Sequence, residues 1–535
     1  ADGSVTFSAA SDVTSANGNV TITADNDSDS SGSVTMANGT TVGAGTGTID
    51  IDAYGDITLG EMTTTNATTS AVNVDSANGD IGTADGGLTN IVASTGSARV
   101  TLTAAGDIGA VTNIFTEAGL VPIKTTANEL LVTSGDAGAA GTVIAIQDSA
   151  SPALASVDAG VGSAGTAFID AVGNLSVLNV DMADAGDKAA LISGATLTIP
   201  NTTTIDGDLR LEGATSIVDG GGPLDINATN ILFDSGAAAT LTITTAGGDF
   251  DGTAGGAFSI TNDGGALDLA DLNADGTAVT AASGANITVN SNGSIDVDAA
   301  VTALGAGAVD INSGAAFTLA DGIVVSSGSG GITIDTTGAN VLTVNGTVQT
   351  AGAGTITLTG TDDITMDADS LVQAAAAVVL SGAETVTIDA VTSTGSTVGI
   401  TSTNDSILEA DSSNLVTGTT VTLNAGVGGG DSVGTDANRI NTTAGTLAGQ
   451  AGTGGFYVDE TDAVVLGNIT SAAALGLTAG GAISDSGDLD IEATTTIDAT
   501  GFDVVLDRAT HDFTGAVSVT GANITVVDAN ALILG

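Results

Sequence analysis

Between Ala285 and Asp389 apolar and polar residues alternate in paired short runs: Ile287/Val289 with Ile295/Val297, Val309/Ile311 with Phe317/Leu319, Ile332/Ile334 with Leu342/Val344, Ile356/Leu358 with Ile364/Met366, and Val378/Leu380 with Val386/Ile388. A period of two sends one side chain inward and the next outward, the signature of half-buried strands. The second apolar position of the first strand falls at 289, 311, 334, 358 and 380, so by subtraction the steps are 22, 23, 24 and 22 residues. The second strand keeps pace at 297, 319, 344, 366 and 388. A third apolar position follows each pair at Val301, Val324, Val348, Leu371 and Val391, with Gly, Asn, Asp and Ser between the strands. Each unit is thus a three-sided coil.

So small a unit cannot bury its apolar face alone and must stack on its neighbours. The expected fold is all-β: a parallel β-helix, or β-solenoid, with three short strands in each coil of 22–24 residues. Sandwiches and barrels also use short alternating strands, but neither explains a steady step of this length. Stacking at about 4.8 Å per coil sets outward residues into ladders. Thr318, Thr343, Thr365 and Thr387 form one expected ladder, and Thr288, Asp310, Thr333 and Thr357 another. Thr favours both strand backbone and cross-strand hydroxyl contacts.

The pattern extends less regularly to both sides. Residues 1–110 repeat an apolar pair followed by a Gly-Asp-Ile corner, at Asp56-Ile57, Asp80-Ile81 and Asp107-Ile108. Glycine there permits a positive φ, and Asp is expected to bond nearby backbone. The step fades over residues 111–165, read as loops, and again over 425–460. These two stretches echo each other: Ile123-Lys124-Thr125-Thr126-Ala127 matches Ile440-Asn441-Thr442-Thr443-Ala444, which points to a duplicated module. One continuous solenoid over residues 1–535 is expected, of roughly 23 coils and on the order of 110 Å.

Composition narrows the function. The chain is 42% hydrophobic but only 2% aromatic, so its core is aliphatic. Six basic residues face 62 acidic ones, a formal charge of -56, which excludes nucleic acid as a partner. Stacked carboxylates repel, so a medium with salt or divalent cations is expected. With no cysteine there are no disulfides or thiolate metal sites. No apolar run is long enough to span a membrane as a helix, and no signal-peptide pattern opens the sequence. The repeat pattern runs into both termini, so the sequence reads as a piece whose ends are covered by further coils or by identical subunits end to end.

Candidate chemistry is sparse. Asp271, Asn273 and Asp275 alternate before Gly276, like the first half of an EF-hand loop, although Ala282 stands where the loop's final Glu belongs. Asp25, Asp27 and Asp29 form a similar acidic alternation. Calcium is the expected ion at these six residues, and no cofactor is required. A polysaccharide-active β-helix enzyme would need a basic residue or paired carboxylates in a cleft. Arg99, Lys124, Lys188, Arg210, Arg439 and Arg508 are instead scattered along the sequence. His511 beside Asp512 lacks a nucleophile pattern and reads as part of a solvated loop. Asn-x-Ser/Thr sequons such as Asn38, Asn66, Asn292 and Asn345 are expected in so Asn- and Thr-rich a chain.

The run from Ala516 to Val526 with Asp528-Ala529-Asn530-Ala531-Leu532, and the stretch from Val433-Gly434-Thr435 to Leu447, resemble repeats of large bacterial exoproteins of the filamentous haemagglutinin type. That resemblance implies a right-handed β-helical shaft, extracellular or on the cell surface, that serves adhesion to host or neighbouring-cell surfaces or matrix glycans. The leading expectation is a secreted, non-enzymatic adhesin shaft or structural fibre. The polysaccharide-active enzyme and a self-stacking envelope or filament subunit are its alternatives.

Overall fold

The computed structural model describes residues 3–25, 30–84, 87–135, 141–159, 164–182, 184, 186–199, 202–218, 224–245, 247–411 and 413–535. The chain divides into two compact units, Ala1–Gly255 with Leu272–Ala274, and Gly256–Asp271 with Asp275–Gly535. Each is built of parallel strands stacked as a β-solenoid, without a helix among the described residues. Together they hold about 21 turns.

In the second unit the repeat read from the sequence is the repeat of the fold. Val289 pairs with Ile311, Ile311 with Ile334, Ile334 with Leu358 and Leu358 with Leu380, all buried. Val297, Leu319, Val344 and Met366 form the second inward column. Each such Val, Leu or Ile contributes about 1.5–3 kcal/mol on burial, and only because another turn lies above and below it. Both expected outward ladders are present: Thr318, Thr343, Thr365 and Thr387 are successive partners, as are Thr288, Asp310, Thr333 and Thr357.

The third column corrects the expected register at two turns. Val301 pairs with Val325, Val325 with Val348, Val348 with Val372, and Val372 with Val391. Val325 and Val372 are therefore the inward residues, while Val324 and Leu371 are only part-buried at the strand starts. Where two apolar residues adjoin, alternation cannot say which faces in, and a shift of one residue reverses the face.

Corners are shaped by hydroxyl groups and missing side chains. Ser313 turns inward at its strand end and donates to the carbonyls of Ala316 (2.9 Å) and Gly293 (3.2 Å), and Ser327 donates to that of Gly307 at 2.7 Å. At Gly354 a Cβ would lie 1.8 Å from the Gly330 carbonyl oxygen, so the stacked corner admits no side chain there.

In the first unit the turns begin long. Val20, Ile49, Val72, Val100 and Leu130 are successive partners, at steps of 29, 23, 28 and 30 residues. Extra corner residues account for fewer turns than the sequence step implied. The stretch 111–165 is more regular than its sequence suggests. Ile123 pairs with Ile146 and Ile146 with Ile169, both at a step of 23 residues, followed by Leu191, Leu211 and Phe233. Among the described residues it is the beginning of this stretch that leaves the wall, as an antiparallel excursion bridged at Ala110–Val121 and Asn113–Ala118.

That excursion explains why alternation fades. The outward row Ala145, Phe168, Ala190, Arg210, Leu232 and Asp251 is buried, so three consecutive residues per strand are inaccessible. Val111 and Ile114 of the excursion pack on Phe168 and Ala190, joined by Phe115, Leu120, Val143 and Ile192. A strand covered on both faces reads as a continuous apolar run.

Candidate functional site

The six candidate calcium ligands fall in two stretches of the sequence. Asp271 Oδ1 accepts the N–H of Asp275 at 3.0 Å and Oδ2 that of Gly276 at 2.8 Å. Asp275 Oδ1 accepts the N–H and the hydroxyl of Thr277, at 2.8 and 2.7 Å. The N–H of Asn273 donates to Asp251 Oδ2 at 3.2 Å. Ala274 and Gly276 take φ of 66° and 90°, closing a tight turn in which the carboxylates hold the loop's own backbone. A cation at this loop would compete with those donors. Asp25 also has a positive φ, 65°, whereas Asp27 and Asp29 lie outside the described residues. Among the described residues, no three His, Cys, Asp or Glu side chains converge as a metal site.

Acidic residues are arranged instead as rungs between turns. At the Gly-Asp-Ile corners Asp56 Oδ1 accepts the N–H of Asp80 (3.1 Å), Asp80 Oδ1 that of Asp107 (2.8 Å), and Asp107 Oδ1 that of Val143 (2.8 Å). The corner aspartate thus bonds backbone one turn away rather than within its own turn. Stacking has an electrostatic cost. Asp52 lies directly opposite Asp75, and both carboxyl groups are raised above their usual range, first by burial and then by neighbouring carboxylates, Asp50 among them.

Cations join the same scheme. Arg99 pairs with Glu129 at 2.6 Å, Lys188 with Asp208 at 2.6 Å, and Arg508 with Asp488 at 2.8 Å, each across neighbouring turns. Arg210 is nearly buried: Nε meets Glu212 at 2.6 Å, Nη2 meets Glu117 at 2.9 Å, and Nη1 donates to the carbonyls of Ile114 (2.7 Å) and Phe115 (3.2 Å). It pins the antiparallel excursion to the wall. Sequence spacing could not reveal this, because Glu117 and Arg210 are 93 residues apart.

Several carboxylates are sunk into the wall. Glu409 occupies the inward column beside Ile388, where burial raises its carboxyl to about 7 against the hydrogen bonds of Asn441. Asp389 bonds the side-chain amide of Asn414 through Oδ1, while its buried Oδ2 has no hydrogen-bond partner among the described residues. Glu460 accepts the Thr442 hydroxyl at 2.7 Å and the Ala444 N–H at 3.0 Å, and burial raises it too to about 7. Asp148 is held alike by the Thr125 hydroxyl (2.6 Å) and the Ala127 N–H (2.9 Å). The duplicated sequence module is therefore a duplicated carboxylate clasp. The signal available in the sequence was the shared Thr-Thr-Ala.

His511 is not in a solvated loop; it is fully buried. Its Nδ1 accepts the N–H of Leu489 at 3.0 Å, which leaves Nε2 to carry the proton donated to Asp485 Oδ2, also at 3.0 Å. The ring packs on Phe513 with centroids 5.7 Å apart. Its acidic partner is Asp485, one turn back, not the adjoining Asp512, and burial removes it from any substrate. Surface hollows lie elsewhere, at corners such as Thr302, Leu304, Ser326 and Gln349.

Residues 453–520 match a family described as repeats of unknown function, DUF5649. No curated protein and no solved structure matches the chain.

Proposed function

We propose that the chain is a non-enzymatic shaft segment of a secreted, cell-surface adhesin or extracellular structural fibre, working by reach and by repeated display of its sides. The observation that carries this reading is where the scarce cations are spent. Arg99, Lys188, Arg439 and Arg508 each bind a carboxylate of a neighbouring turn, and Arg210 pins an excursion to the wall. Charge chemistry is thus committed to cohesion between turns, which a shaft needs along its whole length. The match of residues 453–520 to a family of repeats fits a shaft, and the resemblance to filamentous haemagglutinin-type repeats is part of this proposal.

The proposed partners are further coils or identical subunits end to end, since parallel turns are stabilised by stacking on other turns. Calcium has the proposed role of a screening ion along the acidic rows. Electron microscopy of the native assembly tests the reading. Thin spikes or continuous filaments are expected, and compact particles would overturn it.

A further inference from the structure

On three successive turns of the second unit Arg439, Tyr457 and Gly476 share one outward row. Tyr457 pairs with Gly476, and Arg439 precedes by one residue the Ile440–Val458 pair. A Cβ at Gly476 would lie 2.7 Å from Tyr457 Cδ1 and 3.2 Å from Arg439 Nη2, and one at Gly455 would lie 2.8 Å from Tyr457 Cε2. The aromatic ring therefore rests on two positions without side chains, and Tyr457 stays partly exposed. Arg439 stands in the same row, fixed by its own partners: Nη2 meets Asp436 at 2.8 Å, and Nη1 meets Thr478 Oγ1 at 3.1 Å and Asp459 at 3.4 Å. One of two tyrosines thus shares a row with one of six basic residues, both close to Gly476, in a chain without tryptophan.

We propose that this patch is a contact subsite for a neutral glycan chain. A sugar ring is amphipathic, with an apolar C–H face that fits an aromatic platform and equatorial hydroxyls that both donate and accept. The patch supplies the matching set: an aromatic face, a fixed guanidinium fork, two carboxylates and a threonine hydroxyl. Charge selects against acidic glycans. Arg439 is already offset by Asp436 and Asp459, so it offers an anion no net positive charge, and the chain as a whole carries -56. Beside the patch runs an uncharged row, Thr417, Thr443 and Thr461, with the last two hydroxyls 2.6 Å apart. A glycan lying along the solenoid axis would meet a hydroxyl group about every 4.8 Å.

The subsite deepens the shaft reading by naming what its sides contact, and the two fail separately. The whole chain is titrated calorimetrically with cellohexaose, maltohexaose, laminarihexaose and chitohexaose, with heparin as the acidic probe, and each mixture is assayed for new reducing ends. At least one neutral oligosaccharide is expected to bind more tightly than heparin, and Tyr457→Ala to weaken it by about tenfold or more. Thr357→Ala, distant on the same unit, should bind as the wild type does. If Tyr457→Ala fails to fold, Asp436→Asn takes its place, because Asp436 is exposed and its loss frees the guanidinium without touching the core. No neutral binding, a preference for heparin, or unchanged affinity in the variant that folds overturns the subsite and leaves the shaft reading intact. Release of reducing ends overturns the non-enzymatic reading and leaves the subsite.

Discussion

Thr442 Oγ1 donates a hydrogen bond to Glu460 Oε2 at 2.7 Å across directly paired positions on neighbouring strands. Thr125 and Asp148 stand in the same relation at 2.6 Å, again directly paired. In both places the alanine two residues after the threonine adds its N–H to the same carboxylate. Hydrogen bonds to a carboxylate are stronger than neutral ones, yet the group is also stripped of water, and the two effects oppose each other. At Glu460 burial wins, because its carboxyl is raised from 4.5 to about 7. Replacing Thr442 with Val should cost about 1–3 kcal/mol, since a buried acceptor loses a partner that water cannot replace. Denaturant melts of Thr442→Val and Thr125→Val should both show the loss; wild-type midpoints in both would mean the clasps are ornamental.

Stability should fall as pH rises toward neutrality. Glu409 and Glu460, raised from 4.5 to about 7, hold a proton in the folded chain where the unfolded chain has released it. The folded state therefore binds more protons between those values. Their stabilising contribution is complete below about 4.5, declines through the window and is gone above about 7. At about 1.4 kcal/mol per pH unit, the swing is bounded at about 3.5 kcal/mol for each residue and is smaller to the extent that solvent screens it. Surface repulsion among acidic residues slopes the same way, so the diagnostic protein is the Glu409→Gln/Glu460→Gln double variant. Its melting temperature should fall less steeply than the wild type's over this range. Parallel curves would show that the two carboxyl groups do not titrate there.

Ile334→Asp should unfold more than one turn. Ile334 lies between Ile311 and Leu358 in the inward column with no exposed surface, so an aspartate there would be a charge without a partner. The cost is several kcal/mol, and in a solenoid it spreads to the turns on either side. Hydrogen exchange should rise first in Val309–Ser313, Ile332–Thr336 and Ile356–Gly360. Protection lost only at residue 334 would contradict turn-to-turn dependence.

How far the sequence can be read depends on whether one face of a strand is wet. Between Ala285 and Asp389 the outer face is exposed or half-exposed, alternation is clean, and the step gave the correct stacking of Ile311, Ile334 and Leu358. At Ala145, Phe168 and Ala190 the outer face is covered, so the period-two signal disappears although the turns continue at nearly the same step. Val324 and Leu371 each adjoin an equally apolar Val325 or Val372, so alternation admits either as the inward residue, and only the pairing separates them. The buried acids and His511 were illegible for another reason. Their partners, such as Asp485 for His511 and Thr442 for Glu460, lie 26 and 18 residues away, and a one-turn offset is visible only once the turns are aligned.

Ionic conditions should matter along the acidic rows. Asp52 stacks on Asp75 one turn away, Asp50 lies two residues from Asp52 on the same strand, and their repulsion contributes to raising Asp52 and Asp75. Screening lengths shrink from about 30 Å at 0.01 M salt to about 8 Å at physiological strength, so added salt should raise the melting temperature. Melts in chelator at low salt, then with sodium chloride or calcium chloride, distinguish the cases. Equal gains at matched ionic strength indicate screening. A gain with calcium that sodium cannot reproduce, and that Asp271→Ala abolishes, would place a specific ion at the Asp271–Asp275 loop. Identical midpoints in every buffer would contradict cation dependence altogether.

Arg210 should behave as a latch on the excursion at 110–121. Its guanidinium joins Glu117, Glu212 and the carbonyls of Ile114 and Phe115, over a small apolar patch of Val111, Ile114, Phe168 and Ala190. In Arg210→Ala the carbonyls of Ile114 and Phe115 lose their donor where water has little access, and Glu212 and the half-exposed Glu117 lose their ion pair, at a cost of about 1–3 kcal/mol. The loss should be local, because the inward neighbours Leu209 and Leu211 keep their pairing with Ile231 and Phe233. Limited proteolysis should therefore cut within 110–121 in the variant before global unfolding, and leave the wild type intact there. Arg210→Lys should not restore protection, since an ammonium cannot present the planar fork that reaches Glu212, Glu117 and the carbonyls together. Full protection in the lysine variant would mean that charge alone, rather than the geometry of the fork, holds the excursion down.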